Sequence, residues 1–97
     1  MNRTEAHNIL SGPLNRFQNY ADLVPRARSG TVERFEIRGE NNHIYEIELQ
    51  FFWDEAQKSS IRVFGSIYDA SSGGFFPLTQ TLLLTPTQPA QEPEARL

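Results

Sequence analysis

The sequence predicts an α+β domain in which an N-terminal helix packs on one face of a four-stranded antiparallel β-meander. Residues 45–53 alternate between apolar and polar side chains, which is typical of a strand with one buried face. Earlier apolar residues recur at spacings of three and four, which indicates a helix. Short connections rich in Gly and Asn separate the later segments, and short connections favour antiparallel neighbours.

The chain length of 97 residues fits a single domain, and we assign residues 1–85 to it. From Pro86 onward the chain consists mainly of Pro, Gln, Glu and Ala. Such a segment cannot bury enough apolar surface to offset the entropy lost on ordering. We therefore predict that residues 86–97 form a mobile, disordered tail.

One apolar stripe defines the predicted helix. Its members are spaced four, three, four and three positions apart: Leu10, Leu14, Phe17, Ala21 and Val24. Ser11-Gly12-Pro13 is expected to start the helix, because proline suits the first helical position and Ser or Gly can cap it. Pro25 is expected to end it, since proline disfavours helix at the preceding residue. A shorter helical turn over 4–10 precedes, and Gly12-Pro13 either separates the two segments or kinks one longer helix.

Four strands are predicted, at residues 31–38, 43–53, 61–68 and 75–85. Residues 39–42 form the first turn, because Gly and Asn tolerate a positive φ, and Pro77 favours an edge position for the fourth strand. Alternation directs one set of side chains toward the helix: Phe35, Ile37, Tyr45, Ile47, Leu49, Phe51, Trp53, Ile61, Val63 and Ile67. The helix contributes Leu10, Leu14, Phe17 and Val24 to the same core.

The opposite, outer face of the sheet is charged on the first two strands and apolar on the other two. We predict an interaction surface there, because contiguous exposed apolar patches often mark binding sites. Its residues are Phe52, Arg62, Phe64, Tyr68, Leu82 and Leu84. A homodimer contact or a protein partner is the expected use. The alternatives are a groove for a peptide or small ligand, or cover of the patch by an irregular strand or a folded-back C-terminal segment.

Two other functions are compatible with the same sequence. A small-ligand binder or small enzyme would place a pocket between helix and sheet, lined by Tyr20, Tyr45 and Trp53 with Asp54 or Arg16 at its mouth. An adaptor would use charge instead. The chain has four basic and two acidic residues up to position 30, but five basic and ten acidic residues from position 31. The acidic sheet would then bind a basic protein.

No catalytic residue, metal site or cofactor is predicted, and the sequence leans away from an enzyme. His7 and His43 are the only histidines, lack metal-ligand spacing and are expected to be solvent-exposed. Ser72-Gly73-Gly74 is expected to form a hairpin turn, since a strand follows it where a phosphate loop would lead into a helix. Asp54 and Asp69 fall at opposite ends of the third strand and cannot converge on one substrate.

Location and partner class follow from composition. No apolar run approaches the roughly 20 residues that cross a bilayer, and the first seven residues lack the apolar segment of a secretory signal. We therefore expect a cytoplasmic protein with no membrane contact. A net charge of −3 argues against nucleic acid as a partner. The absence of cysteine excludes disulfides and thiolate metal sites.

Overall fold

Two helices precede four strands in this protein, whose computed structural model describes residues 2–70 and 77–86. Helix α1 spans Arg3–Leu14 and helix α2 spans Tyr20–Ser29. The strands are β1 Val32–Arg38, β2 Ile44–Trp53, β3 Ile61–Asp69 and β4 Leu78–Leu84. The predicted turn at 72–74, the start of the fourth strand at Phe75 and the tail from residue 87 lie outside the described residues.

The strands form one antiparallel sheet in the order β1-β2-β3-β4, which confirms the predicted meander. Helix α1 packs mainly on β3 and β4, and α2 packs mainly on β2 and β3. The core is a single cluster of apolar side chains between the helices and the sheet. Its fully buried members include Leu10, Leu23, Tyr45, Ile47, Phe51, Ile61, Val63 and Ile67. The predicted α+β architecture is therefore confirmed.

The predicted bounds of the helix are wrong. Asn2 caps α1 by accepting the Glu5 N–H at 3.0 Å, and the helix runs through Pro13 before it ends at Leu14. Asn19 caps α2 in the same way, so the break between the helices lies at 15–19. Pro25 lies inside α2 and does not stop it.

Gly30 is the residue that ends α2. Its φ of +66° is left-handed, and Thr31 N–H donates to the Arg26 carbonyl at 2.9 Å while Gly30 N–H donates to the Ala27 carbonyl at 3.3 Å. These bonds form a Schellman motif, which satisfies the last carbonyls of a helix and favours glycine. Because of this later end, Leu23 and Ala27 become the buried residues of α2.

The predicted core face is confirmed, with full burial along the middle of the sheet and weaker burial at its margins. Trp53 is 36% exposed because it is the last residue of β2. Phe35 and Ile37 are only half-buried, since the two helices pack mainly over β2, β3 and β4. Strand β1 therefore forms an edge of the sheet with little helical cover.

The turn between β1 and β2 is a tight hairpin, as predicted. Asn41 and Asn42 have φ values of 57° and 60°, and His43 N–H donates to the Glu40 carbonyl at 3.1 Å. Consecutive positive φ angles are the signature of a type I′ turn, which suits the twist of paired strands. Gly39 N–H donates to the His43 carbonyl at 2.8 Å, so these two residues form a hydrogen-bonded pair. Because such pairs alternate along antiparallel strands, this bond determines which residues of β1 hydrogen-bond to β2.

Candidate functional site

An apolar patch lies on the outer face of the sheet, opposite the helices. The strand register aligns Val32, Gln50 and Phe64 across three strands, and Phe52, Arg62 and Leu83 in the next row. We call the four apolar members, Val32, Phe52, Phe64 and Leu83, the outer patch. Gln50 and Arg62 lie among them.

The outer patch contains two of the most exposed large apolar side chains of the described residues. Val32 is 43% exposed and Phe52 is 39% exposed, while Phe64 and Leu83 are half-buried. Both described helices pack on the other face of the sheet. Apolar side chains that neighbour one another on an open sheet face are a recognised feature of binding surfaces.

A buried carboxylate holds Arg62 in place within this face. The Arg62 Nε and Nη2 atoms donate to Asp54 Oδ1 at 2.8 and 2.6 Å. The other oxygen, Oδ2, accepts the N–H groups of Gln57 at 2.8 Å and Ala56 at 3.1 Å. These backbone hydrogen bonds, the Gln57 bond first, and the Arg62 guanidinium lower the pKa of Asp54. The guanidinium is therefore a fixed cation beside Phe52.

Of the predicted interaction surface, the structure places Phe52, Arg62 and Phe64 together on the outer face of the sheet. Leu82 and Leu84 are placed wrongly, because the register aligns them with Val63 and Ile61 on the helix-covered face. Leu84 is only 4% exposed there. Three consecutive leucines at 82–84 show no alternation, so the sequence does not reveal that Leu83 is the one on the outer face.

Tyr68 shares the outer face but belongs to its charged half. Its hydroxyl donates to Glu46 Oε1, and this hydrogen bond raises the pKa of Tyr68. Arg34 Nη2 lies 3.7 Å from Glu48 Oε2 in the neighbouring row. Four residues of strand, or about 13 Å, separate Tyr68 from Phe64, so Tyr68 lies at the rim of any contact centred on the outer patch.

The predicted ligand pocket does not exist as one site. Tyr45 and Trp53 lie at opposite ends of β2, eight residues or about 26 Å apart. The Tyr20 hydroxyl donates to the Ser59 carbonyl in the loop after β2. Asp54 is held by Arg62, and Arg16 lies beside Phe17 and Asn19 on the segment between the helices.

A polar cluster that the sequence does not reveal joins α1 to the β1–β2 hairpin. Glu5 Oε1 accepts the buried Tyr45 hydroxyl at 2.6 Å, and Oε2 accepts the Glu40 N–H at 2.7 Å. Gly39 packs so closely here that a Cβ would lie 2.6 Å from Tyr45 Cε2. His43 Nδ1 lies 3.1 Å from Oδ2 of the buried Asp69, and the His43 ring stacks on Tyr45. His43 is solvent-exposed, as expected, with a 45% accessible side chain, and it also has a carboxylate partner.

The chemistry of this cluster is structural. The Tyr45 and Glu40 bonds lower the pKa of Glu5, so its carboxylate is ionised at neutral pH. Burial, followed by the hydrogen bond to Glu5, raises the pKa of Tyr45 to about 12. General acid–base catalysis near neutrality requires a group whose pKa lies near 7. The Tyr45 phenol stays protonated and the Glu5 carboxylate stays ionised at that pH, so neither group meets this requirement. The pair instead fastens the first turn of α1 to the hairpin.

Comparison of this chain with protein-family models, with curated proteins and with solved structures finds no match. Within residues 2–70 and 77–86, no three His, Asp or Glu side chains are grouped as metal ligands. In the same ranges no helix is long and apolar enough to span a bilayer. The exposed surfaces of the sheet are therefore the candidate functional sites.

Proposed function

We propose that this protein is a non-catalytic interaction module that binds a protein partner through the outer patch. The observation that carries the proposal is the neighbouring placement of Val32 and Phe52, which are 43% and 39% exposed, on the sheet face opposite the helices. Phe64 extends the same apolar surface across Gln50.

The patch is suited to binding because its polar neighbours are already ordered. Arg62 is fixed by Asp54, and Gln50 Nε2 donates to Glu48 Oε2 at 3.0 Å. Ordered side chains lose little conformational entropy when a partner docks. Aromatic and arginine side chains in such positions dominate the energy of many interfaces.

The free energy from apolar burial at the outer patch can be compared with the free-energy cost of association. Covering about 300 Å² of apolar surface contributes about 7.5 kcal/mol at roughly 25 cal/mol per Å². Association costs on the order of 4–15 kcal/mol in lost translational and rotational freedom. The apolar contact alone therefore offsets only the lower part of that cost, and the partner must also hydrogen-bond to the surrounding polar groups.

The charged half of the outer face favours a different protein over a second copy stacked face to face. Stacking two whole faces would bury Arg34, Glu36, Arg38, Glu46 and Glu48 from each copy. Removing such charges from water costs several kcal/mol per ion unless each finds a well-placed partner. A partner that covers the outer patch and leaves the charged rows in solvent avoids this cost.

Site-specific cross-linking tests the proposal in cells of the native source. A benzophenone side chain at position 50, in the middle of the outer patch, is expected to capture one discrete protein. The matched control carries the same group at position 44, about 20 Å away on the same face of β2. A Phe52→Ser/Phe64→Ser background, checked for folding by circular dichroism, is expected to abolish the product. No product from position 50, or an undiminished product in the double variant, would overturn the proposal.

A further inference from the structure

Strand β1 is an edge of the sheet, and it pairs with β2 alone among the described residues. The Gly39–His43 bond determines which residues of β1 direct their main-chain groups toward β2. Because hydrogen-bonding direction alternates along a strand, the main-chain groups of residues 33, 35 and 37 face β2. Those of Val32, Arg34, Glu36 and Arg38 point away from the sheet and are placed to pair with another strand.

The charges on these outward positions alternate in sign. Arg34, Glu36 and Arg38 follow one another at every second residue, on the outer face. Charged residues on an edge strand commonly prevent pairing. A row of charges of one sign on β1 would repel β1 of a second copy in every register. A row of alternating charges is instead complementary to the same row running in the opposite direction.

Only one antiparallel register pairs most of β1 and also satisfies the hydrogen bonds and the charges. Outward groups must meet outward groups, and a two-fold axis at residue 34, 35 or 36 pairs five or more residues of the strand, whereas an axis at 33 or 37 pairs only three. An axis at Arg34 places two arginines opposite each other, and an axis at Glu36 places two glutamates opposite each other. An axis at Phe35 places Arg34 opposite Glu36 of the second copy, and Glu36 opposite its Arg34.

The same register covers the least protected part of the core. Phe35 and Ile37 are half-buried on the helix side of β1, and the two Phe35 side chains would face each other across the axis. Arg26 Nε lies 3.0 Å from Glu33 Oε2, so the negative charge of Glu33 on that face is already neutralised within each copy. Pairing of the full strand adds up to about eight main-chain hydrogen bonds.

We propose that two copies of this protein pair through β1, antiparallel and centred on Phe35, to form a two-fold symmetric dimer with a continuous eight-stranded sheet. The occupant of the β1 edge is thus a second copy of the chain. The outer patch of each copy stays open on the same side of the sheet, so the dimer does not depend on partner binding there.

Charge reversal tests the register. By sedimentation, the wild type is expected to show a mass of twice 11.1 kDa. Glu36→Arg or Arg34→Glu alone is expected to weaken the dimer about tenfold or more, since like charges then lie opposite each other twice. A mixture of the two variants, and the double variant in one chain, restores complementarity and dimerisation. Lys58→Glu, a charge reversal in the loop after β2, and Thr81→Glu, on the β4 edge, are the controls.

The chain has no cysteine, so a disulfide reports the axis directly. Phe35→Cys is expected to cross-link the dimer, because facing residues in a non-hydrogen-bonded pair have Cα atoms about 4.5 Å apart. Glu33→Cys is the control, since its two copies lie about 14 Å apart in this register. A monomeric wild type, a dimer that Thr81→Glu disrupts and Glu36→Arg does not, or equal cross-linking of both cysteine variants would overturn the proposal.

Discussion

The Tyr45 hydroxyl donates to Glu5 Oε1 at 2.6 Å and so ties the first turn of α1 to the start of β2. The two residues are 40 positions apart in the chain, and Tyr45 is fully buried. Glu5 also accepts the N–H of Glu40, which follows Gly39 at the hairpin turn. One carboxylate thus satisfies a buried phenol and a turn amide at the same time.

Removing the phenol hydroxyl is expected to destabilise the domain. Tyr45→Phe deletes one buried hydrogen bond and leaves the ring in place, so the free energy of unfolding should fall by about 1 kcal/mol. Urea denaturation measures this change. Tyr68→Phe is the matched control, because its hydroxyl bonds to Glu46 on the outer face; a loss as large as that of Tyr45→Phe would contradict the special role of the Glu5 bond.

Acid is expected to weaken the same connection. Hydrogen bonds from Tyr45 and Glu40 hold the pKa of Glu5 below its usual value of 4.5 in the folded state. A lowered folded pKa contributes stability that is present above about pH 4.5 and lost as the pH falls through the folded value. Thermal melts between pH 7 and pH 2 should therefore show a smaller acid loss for Glu5→Gln than for the wild type.

Asp54 is also expected to contribute stability that is lost in acid, because its pKa in the folded state is also lowered. Some acid destabilisation should therefore persist in Glu5→Gln, and Asp54→Asn should remove a further part of it. Identical acid profiles for the wild type and Glu5→Gln would show that the Glu5 contacts do not contribute to stability.

Gly39 is expected to resist substitution for lack of space. A Cβ at this position would lie 2.6 Å from Tyr45 Cε2 and 3.0 Å from Glu5 Oε2, so Gly39→Ala should lower the free energy of unfolding by about 1–3 kcal/mol. Gly12→Ala is the control, because nothing lies within 4 Å of its Cβ and alanine favours a helix. Equal stability of the two variants, by urea denaturation, would contradict the close packing at Gly39.

The strands follow from the sequence because alternation is local. Residues from Tyr45 to Phe51 show their faces at every second position, and the structure places them accordingly. The helix bounds do not follow in the same way, since two prolines lie inside helices whose ends are set by Asn2, Asn19 and the left-handed Gly30. The Schellman glycine is the signal in the sequence that marks the true end of α2.

The residues of the functional surfaces can likewise be assigned from the sequence only where they follow local alternation. Phe52, Arg62 and Phe64 could be assigned to one face from alternation alone. The Glu5–Tyr45 bond could not, because no local pattern relates residues 40 positions apart. The faces of residues 82–84 depend on strand register, which a run of three leucines leaves undefined until the pairing of Arg62 with Leu83 is known.

The affinity of the outer patch for the protein captured at position 50 tests the central claim most directly. Titration calorimetry with the purified partner should show a Kd at least about tenfold weaker for Phe52→Ser/Phe64→Ser than for the wild type, since each truncation removes a buried aromatic contact. Thr79→Ser, a small change elsewhere on the same face, should leave the Kd unchanged. Equal affinity of the double variant and the wild type would contradict the assignment of the outer patch as the binding surface.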